Sequence, residues 1–375
     1  MTASAILSPV KSGKSTKASL GDVAKAVGMS KATVSYALRN YPSISLETRQ
    51  RIQRIAQQVG YSPDARMASW MAKLQKTRSK ELLPIAWLNT DEKGEDVWRR
   101  HKFLSPYLEG ARERCLLLGY RIEEFWALEP GMTIHRLSDI LYHRGIQGVI
   151  VTYPARHLRL RWEHLAGVGL GGSLLAPRIH QVAPDLNFNL TLTHKLLRRY
   201  GYRRIGICAS DWTDRFSHRM FRSLAHQLFA SVPPADRIPP LFYPGEHGAN
   251  AAIAFKLLKT WVQRYQPEVI ICSSNLIQSW LLDLNLRVPE DVGLVHLSLD
   301  DDVLDWAGIH SNKKEIGATA AEWVISMVQN HRFGVPAASL TTLVRGSWQH
   351  GKTLRIPQTG TRGLASPPKA RVVPG

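Results

Sequence analysis

The chain has 375 residues, enough for two or three domains with buried cores, and it carries a formal net charge of +19. Its three cysteines, Cys115, Cys208 and Cys272, are too few and too widely spaced for a disulfide framework or a zinc site, so we expect buried, reduced thiols. The sequence has no apolar run of about 20 residues and no apolar signal segment, which predicts a cytosolic protein with no membrane contact.

The positive charge is concentrated at one end of the chain. Residues 1–80 hold fourteen Lys or Arg against three Asp or Glu, so this segment carries +11 of the total charge. A concentrated positive segment is typical of phosphate binding, and a merely soluble basic surface is the alternative. Residues 1–18 are polar, basic and poor in large apolar groups, so we expect a disordered arm there.

Residues 19–62 predict a compact three-helix head. Ser19 caps the first helix, and the apolar residues after it recur at helical spacing. Gly28 supplies the left-handed conformation of a tight turn, and Ser30 caps a second helix that runs to Arg39. Two short helices joined by a glycine turn form a helix-turn-helix unit, whose second helix enters the major groove of DNA.

A third helix and a hinge complete this end of the chain. Ser45 caps the third helix, its apolar residues repeat through Val59, and Gly60 ends it. Pro63 blocks its continuation. Residues 63–82 then predict a short hinge helix with no core of its own, followed by a charged connector.

From Leu83 onward, short apolar strands alternate with amphipathic helices, which predicts parallel sheets covered by helices. The pattern restarts after residue 184, so we expect two α/β halves with a cleft at the carboxyl ends of their strands. We assign 83–184 with 300–330 to the first half and 185–299 with 331–355 to the second. The Pro-, Gly- and Arg-rich tail, 356–375, is predicted to be disordered.

The predicted elements follow in chain order. The strands are 83–89, 120–127, 148–152, 204–209, 239–243, 269–272, 292–299 and 339–345. The helices are 103–118, 133–144, 188–200, 215–230, 249–265, 276–284 and 315–330.

Several short motifs give the chain a specific resemblance. The head contains Asp22-Val23-Ala24, Gly28-Met29-Ser30, Ala32-Thr33-Val34-Ser35 and Gly60-Tyr61-Ser62-Pro63, in that order. It resembles the head of the lactose-repressor/galactose-repressor family of bacterial transcription regulators. Val288 to Gly293, the acidic run 300–302 and Ile309 to Gly317 are similar to the family's effector domain.

The resemblance implies a periplasmic-binding-protein-like core and a regulator, most often a repressor, that binds a palindromic operator in double-stranded DNA. The resemblance also implies a homodimer, because two heads on a two-fold dimer sum their weak contacts, and a tetramer is left open. A small-molecule effector, often a carbohydrate in the family, would bind in the cleft and change operator affinity. The resemblance implies no enzyme activity, no cofactor and no metal, and a cytoplasmic protein associated with the nucleoid when bound.

The family's base-reading positions fall on the second helix. They are the first two residues after the capping Ser and one residue four or five later, which implies Lys31, Ala32 and Tyr36 here. Lys31 can donate to guanine, whereas Ala32 can contact only a thymine methyl. Tyr36 stands where most members have Arg, so the operator is expected to differ at that position, unless the ring packs on the third helix. The residues expected at phosphates are Thr33, Ser35 and Asn40.

The hinge is the second expected reading device. In the family it becomes helical on DNA, pairs with its dimer mate and inserts a Leu into a minor-groove step. Here that position holds Trp70, with Met71 beside it and Met67 on the same segment. An apolar wedge unstacks and kinks the duplex. The alternative is that these residues pack between the two protomers.

Effector-binding positions carry over to Asn89, Thr90, Asp185, Arg219, Asn275 and Ser311. An Arg suits hydroxyl or carboxylate oxygens because of its planar fork. Three departures accompany them. Arg222 replaces the Gly that usually follows Arg219 by three positions, Ser274-Asn275 replaces an Asn-Asp pair, and Ser311 replaces a Gln. The alternative is therefore a constitutive DNA-binding protein with a degenerate pocket.

An enzyme is the main rival from another class. Gly167 to Gly172 matches G-x-G-x-x-G, the dinucleotide-binding pattern. A helix should open directly after that pattern, and Ser173 to Pro177 does not propagate one. We therefore interpret the segment as a strand with its loop.

Overall fold

A computed structural model describes residues 18–38, 44–61, 82–90, 104–152, 157–172, 174, 176–245, 248–299 and 303–355. The chain divides into two compact units, 1–82 with 326–332 and 83–325 with 333–375. The first contains a helical head and the second an α/β core. The arm 1–17, the hinge after Tyr61, the acidic run 300–302 and the tail 356–375 lie outside the described residues. Among the described residues, no helix combines the length and apolarity needed to span a bilayer.

The head contains three helices, as predicted: α1 (Leu20–Val27), α2 (Lys31–Leu38) and α3 (Leu46–Gln58). Ser19 and Asp22 cap α1 reciprocally, since the Asp22 amide donates to Ser19 Oγ and the Ser19 amide donates to Asp22 Oδ2 at 2.8 Å. Gly28 makes the turn at φ 71°, and the Thr33 amide donates to Ser30 Oγ at 3.0 Å. These contacts satisfy the exposed amides that every helix start leaves unpaired.

The three helices enclose one small apolar core. Val23, Val34, Ala37 and Ile52 are completely buried at its centre, and Ala56 adds a contact from α3. The apolar spacing that predicted the helices is the spacing that fills this core. Since Val34 and Ala37 point inward, the opposite face of α2 is turned to solvent.

The core unit begins with β1 (Leu83–Asn89), α4 (Ser105–Leu117), β2 (Tyr120–Trp126), α5 (Ile134–His143), β3 (Gly148–Val151), β4 (Ala166–Leu170) and β5 (His180–Pro184). It continues with α6 (Leu186–Arg199), β6 (Ile205–Ser210), α7 (Asp211–Phe216), α8 (Met220–Ser231), β7 (Leu241–Tyr243), α9 (Ala249–Tyr265), β8 (Val269–Cys272) and α10 (Leu276–Asp283). It ends with β9 (Gly293–His296), β10 (Ala307–His310), α11 (Lys313–Gln329), β11 (Thr341–Val344) and β12 (Ser347–Gln349).

These strands form two six-stranded sheets. The first has the order β11-β5-β4-β3-β1-β2 and is parallel throughout. The second has the order β12-β10-β9-β8-β6-β7, and only its edge strand β12 runs antiparallel among the described pairings. The predicted fold class, a helical head followed by two parallel-sheet halves, is confirmed.

Alternate residues of the central strands pack into layers on the two faces of the second sheet. Leu294 of β9 joins the side chains of α9 and α10, while Val295 joins those of α6 and α8. Cys115, Cys208 and Cys272 are free and buried, as expected. Burial raises the pKa of the Cys115 thiol to about 12, so that thiol is inert.

One predicted helix and three unpredicted strands differ from the sequence interpretation in a way that matters for the cleft. The predicted helix 215–230 is two helices, α7 and α8, because His218 and Arg219 adopt left-handed φ angles of 50° and 64° between them. The strands β5, β10 and β12 were not predicted; β10 and β12 are only three or four residues long. Segment 167–170 lies in β4, as the sequence interpretation required.

The strand membership of the two halves also differs from the proposed boundaries. β10 (Ala307–His310), assigned to the first half, lies in the second sheet, and β11 (Thr341–Val344), assigned to the second half, lies in the first. The chain therefore crosses between the sheets after β5, after β10 and after β11. Crossing points depend on strand pairing over long sequence separations, which local patterns do not encode.

The three crossings are bonded to one another. The Asp185 amide donates to the Val344 carbonyl at 2.8 Å, and Asn312 Nδ2 donates to the Arg345 carbonyl at 2.8 Å. The Gly346 amide donates to Asn189 Oδ1 at 2.9 Å, and a Cβ at Gly346 would lie 2.3 Å from Ile309 Cγ2. Each crossing starts from the carboxyl end of a strand, so the carboxyl edges of both sheets converge on these crossings. The three crossings together form the hinge between the two sheets.

Candidate nucleic-acid interface and effector cleft

The second helix of the head presents its predicted reading residues to solvent. Lys31, Ala32 and Tyr36 are exposed on the face opposite the buried Val34 and Ala37. The Tyr36 side chain is 43% exposed. A helix with one buried face and one exposed face can lie in the major groove, which admits one α-helix.

Lys31 has a neighbour that the sequence interpretation missed. A Cβ placed on Gly21 would lie 3.1 Å from Lys31 Cε, so the Lys31 side chain runs across the start of α1 over this glycine. The hydrogen bonds from Ser19, and less strongly the charges of Lys25 and Lys31, lower the pKa of the Asp22 carboxyl. No local pattern in the sequence marks Gly21, because its role depends on how α2 crosses α1.

The residues expected at phosphates are partly held by the head itself. Thr33 and Ser35 are half-buried, and Thr33 Oγ1 lies 2.8 Å from Ser30 Oγ within the cap of α2. Asn40 and the hinge residues Met67, Trp70 and Met71 lie outside the described residues.

The first sheet contributes neutral polar groups at its carboxyl edge. Asn89 ends β1 and Thr90 follows it, and the two residues are 2% and 8% exposed. Thr152, which follows β3, is equally buried and was missed. Thr90 Oγ1 donates to the Thr152 carbonyl at 3.0 Å, and Thr152 Oγ1 donates to the Leu88 carbonyl at 3.1 Å. These bonds tie the ends of two neighbouring strands together.

The second sheet contributes a second set of buried polar residues at its carboxyl edge. Ser210, Ser274, His296 and Ser311 are all less than a tenth exposed and end or follow β6, β8, β9 and β10. Of these, the sequence interpretation named Ser311 as an effector-binding residue and Ser274 only as a departure from the family pattern. The missing signal was present, since the first polar residue after an apolar strand is the rule that identified Asn89.

Two other expected effector residues take different positions. Asp185 lies in the hinge, where its side chain accepts from the Phe188 amide at 2.9 Å and caps α6. Asn275 is exposed at the start of α10 and makes no cap bond there. The indole rings of Trp280 and Trp306 pack in the core of the second sheet.

Arg219 stands at the rim of an open cavity of about 310 Å³ lined by Asp211, Arg215, Arg219 and Pro244. Its side chain is 65% exposed, and Nη1 lies 3.6 Å from Asp214 Oδ2. The left-handed φ of Arg219 turns it out of the helix, and such a conformation is unusual for a residue other than glycine. The cavity is at the carboxyl ends of β6 and β7.

Arg222 lies behind this cavity and was noted from sequence only as a departure from the family. Its side chain donates to Asp214 Oδ2 at 3.0 Å and to Asp211 Oδ1 at 2.8 Å, and its amide donates to Asp214 Oδ1 at 3.0 Å. Its guanidinium lies 3.8 Å from the centre of the Phe242 ring. The Asp214 side chain is completely buried, so Arg222 supplies its main counter-charge.

His296 and Lys313 are buried where the second sheet meets the hinge. His296 is 3% exposed, and its Nδ1 accepts from the Ser298 amide at 3.1 Å, which leaves the proton on Nε2. Nε2 makes no hydrogen bond within the described residues, although the Ser273 main chain is near. Lys313, the first residue of α11, is 6% exposed. Burial, and then the Lys313 charge, lower the pKa of His296 to about 4, and burial lowers the pKa of Lys313 to about 7.

The stability of the core should therefore fall at mildly acidic pH. The unfolded chain binds a proton on this imidazole below about pH 6.5, whereas folded His296 resists protonation until about pH 4. Between these values the unfolded state holds more protons, so the free energy of unfolding decreases as the pH falls, by up to about 3 kcal/mol. Urea unfolding at a series of pH values measures this. His296→Gln should have a flatter profile, and identical profiles for the two proteins would contradict this assignment.

Comparison with known proteins agrees with this two-part description. The family model described as bacterial regulatory proteins, lacI family, matches residues 19–64, and the periplasmic binding protein-like domain model matches residues 195–347. The chain belongs to the lacI family of bacterial regulatory proteins. The head that presents Lys31, Ala32 and Tyr36 is thus the family's helix-turn-helix domain.

Individual lacI-family relatives are distant. The NTD biosynthesis operon regulator NtdR of Bacillus subtilis (strain 168) is 21% identical over 198 residues, which are 50% of this chain and 54% of NtdR. The match therefore spans about half of that relative's length. The HTH-type transcriptional repressor PurR of Escherichia coli O139:H28 (strain E24377A / ETEC) is 22% identical over 335 residues, 84% of this chain and 92% of PurR.

A solved structure supports the fold. The transcriptional regulator CelR in complex with cellobiose matches with a TM-score of 0.58 at 15% identity, covering 90% of this chain and 99% of that chain. At this identity the match shows the fold and nothing about the ligand.

Proposed function

We propose that this lacI-family protein represses transcription by binding an inverted-repeat operator as a dimer, and that a small polar effector in the cleft sets its operator affinity. The observation that carries the proposal is the exposed face of α2, where Lys31, Ala32 and Tyr36 stand opposite the buried Val34 and Ala37. One short helix makes few base contacts, so two heads related by a two-fold axis are needed for specific binding.

The chemistry of the three exposed residues defines what each half-site would present. The Lys31 ammonium donates to guanine O6 and N7, and the Ala32 methyl packs against a thymine methyl. Tyr36 has one hydroxyl and cannot form the two-pronged contact of an Arg with guanine. The operator of this protein should therefore differ, at the base facing Tyr36, from those of relatives that carry Arg.

Selection of bound duplexes from a random pool by the full-length protein tests this proposal directly. We expect the selected sequences to share an inverted repeat, because the dimer places two identical α2 helices in successive major grooves. Enrichment of no palindromic sequence would contradict the proposal.

Replacing Lys31 should relax one base position. Lys31→Ala should weaken binding to the selected operator by ~1–3 kcal/mol and lose the preference for guanine at one position of each half-site. Lys25→Ala is the matched control, since Lys25 is an exposed head lysine on α1 and the substitution removes the same charge. Competition binding against operator variants measures both. Equal weakening on all sequences would show that Lys31 contacts only phosphate.

The predicted hinge helix, which follows Pro63, would add a second contact with DNA. Trp70 and Met71, with Met67 on the same segment, are proposed to wedge into a central minor-groove step and kink the duplex. What supports this is sequence position relative to Pro63 and the family resemblance. Packing of these residues between the two protomers remains the alternative, and it predicts no effect of Trp70→Ala on DNA bending.

The effector would act through the hinge between the two sheets. Asn89, Thr90 and Ser311 line the facing carboxyl edges, Asp185 belongs to the bonded crossings, and Arg219 stands at the rim. Asn275 is the remaining proposed contact. A ligand that binds one arrangement of the two halves more tightly shifts the population toward it, and operator affinity changes by the same differential free energy.

One observation favours a second possibility, an operator-binding protein with a degenerate pocket. Asn275 is exposed and stands where relatives have an Asp, so the cleft lacks a carboxylate that holds sugar hydroxyls in the family. The two possibilities are separated by operator affinity measured with and without cleft ligands. A constitutive protein shows no change with any of them.

A further inference from the structure

We propose that the cleft of this protein selects an anionic effector, a small oxygen-rich molecule that carries a carboxylate or a phosphate. The inference rests on the proposed effector function and assigns the chemical class of the ligand. It follows from the donors that converge at the carboxyl edge of the second sheet and from the neutralisation of the acidic groups beside them.

The first line of support is the open cavity beside α7. Two guanidinium groups, those of Arg215 and Arg219, stand at its wall, and Arg219 is 65% exposed. Arg215 Nε donates to the Asp211 carbonyl at 3.3 Å, and this bond directs the base of the side chain along its own helix. Guanidinium forks match the geometry of carboxylate and phosphate oxygens better than that of single hydroxyls.

The second observation is that the two carboxylates in the same cluster, Asp211 and Asp214, are already paired with a guanidinium. Asp214 is completely buried and accepts one bond from the Arg222 amide and one from its guanidinium, and Asp211 accepts another from the same guanidinium. Both carboxylates thus already have a cation, and three arginines face two carboxylates in the cluster. The charge of the exposed Arg219 at the rim is therefore not needed to neutralise these carboxylates, and it is accessible to a ligand.

The third observation is a buried donor, His296 Nε2, which has the Ser273 main chain nearby but makes no hydrogen bond of normal geometry among the described residues. His296 carries its proton on Nε2 and is 3% exposed. A buried donor without a well-formed hydrogen bond is unfavourable, so such a group favours an incoming acceptor. The Lys313 ammonium lies close enough to influence His296, which adds positive charge at the same place.

These donors lie along one edge at a spacing suited to a small molecule. His296 ends β9, and α7 follows β6 two strands away in the order β9-β8-β6. Neighbouring strands are roughly 4.8 Å apart, so the two groups of donors are on the order of 10 Å apart. Across the hinge, the edge of the first sheet offers the neutral groups of Asn89, Thr90 and Thr152. The ligand's charge is therefore assigned to the second sheet and its hydroxyls to the first.

Thermal unfolding of the full-length protein at constant ionic strength tests the assignment. The probes are inorganic phosphate and two matched pairs, glucuronate with glucose and ribose 5-phosphate with ribose, which separate carboxylate from phosphate. We expect the charged member of at least one pair to raise the melting temperature by about 2 °C or more, and its neutral partner to raise it less.

The stabilisation should depend on the proposed donors. Arg215→Gln, at an exposed site, and Arg219→Asn, which tolerates the left-handed backbone, should each weaken the charged probe at least about tenfold. Arg199→Gln, an exposed arginine on α6, should retain it. The comparison also excludes phosphate bound at the basic head, because that binding would survive both cleft substitutions.

Three results would overturn the proposal, and they differ in what they leave standing. If neutral sugars stabilise as well as their charged partners and the cleft variants abolish this, the effector function holds and the anionic class is wrong. If the charged probes stabilise both variants as well as wild type, the assigned site is wrong. If no probe, inorganic phosphate included, gives a shift that depends on the cleft, the anionic class is wrong and the effector function loses its support.

Discussion

Operator binding should weaken by about a thousandfold between 50 and 200 mM salt, with a log-log slope on the order of −5 or steeper for a dimer. The physical cause is release of counterions from DNA as Lys and Arg neutralise phosphates. Residues 1–80 supply fourteen such side chains per protomer against three acids. In the head, those exposed on α1 and α2 include Lys25 and Lys31.

Titration of a labelled operator at several salt concentrations gives the slope. A duplex of random sequence is the control, since it should show lower affinity with a similar slope. A slope near zero on the operator would remove the phosphate-contact argument and with it the interpretation of the basic segment.

Loss of Arg222 should strongly destabilise the core. Arg222→Ala leaves the completely buried Asp214 carboxylate with only Arg219, at 3.6 Å, as a cation, and it removes the contact over Phe242. Breaking a buried pair by removing one partner costs about 3–5 kcal/mol. We expect about 3 kcal/mol, because the Arg222 side chain is itself one-third exposed and its interactions are partly screened.

Urea unfolding measures this cost, and two further variants locate its origin. Arg222→Lys keeps the charge but not the fork, so it should recover only part of the stability. The double variant Arg222→Ala with Asp214→Ala removes both partners and should be less destabilised than the sum of the single changes. Strict additivity would show that Arg222 and Asp214 do not depend on each other. Arg199→Gln, on the surface of α6, should change stability by no more than about 0.5 kcal/mol.

The same cluster shows why one departure from the family pattern has two consequences. Arg222 occupies the position that usually holds Gly, and it satisfies both Asp211 and Asp214. Arg219, three residues earlier, then keeps a mostly exposed guanidinium at the cavity rim. The substitution that changes the packing behind the cavity thus also leaves the rim positive.

Local chemistry in the sequence was sufficient to predict the helices and turns of the head. Ser19, Gly28, Ser30 and Ser45 each act on residues within four positions, through caps and turns whose geometry depends only on the neighbouring backbone. The helices, their buried residues and the exposed face of α2 could therefore be predicted from spacing alone. Gly21 could not, because its importance depends on the path of Lys31 across another helix.

In the core, the sequence by itself determined the alternation of strands and helices and the two-sheet class, since buried parallel strands are continuous apolar runs that stand out from amphipathic helices. Only the tertiary structure decided that β10 and β11 exchange sheets, that His218 and Arg219 break a helix, and that His296 and Lys313 meet at the hinge. The physical reason is range. Periodicity records which face of a segment is buried, whereas strand order, crossings and paired charges depend on contacts between residues far apart in the chain.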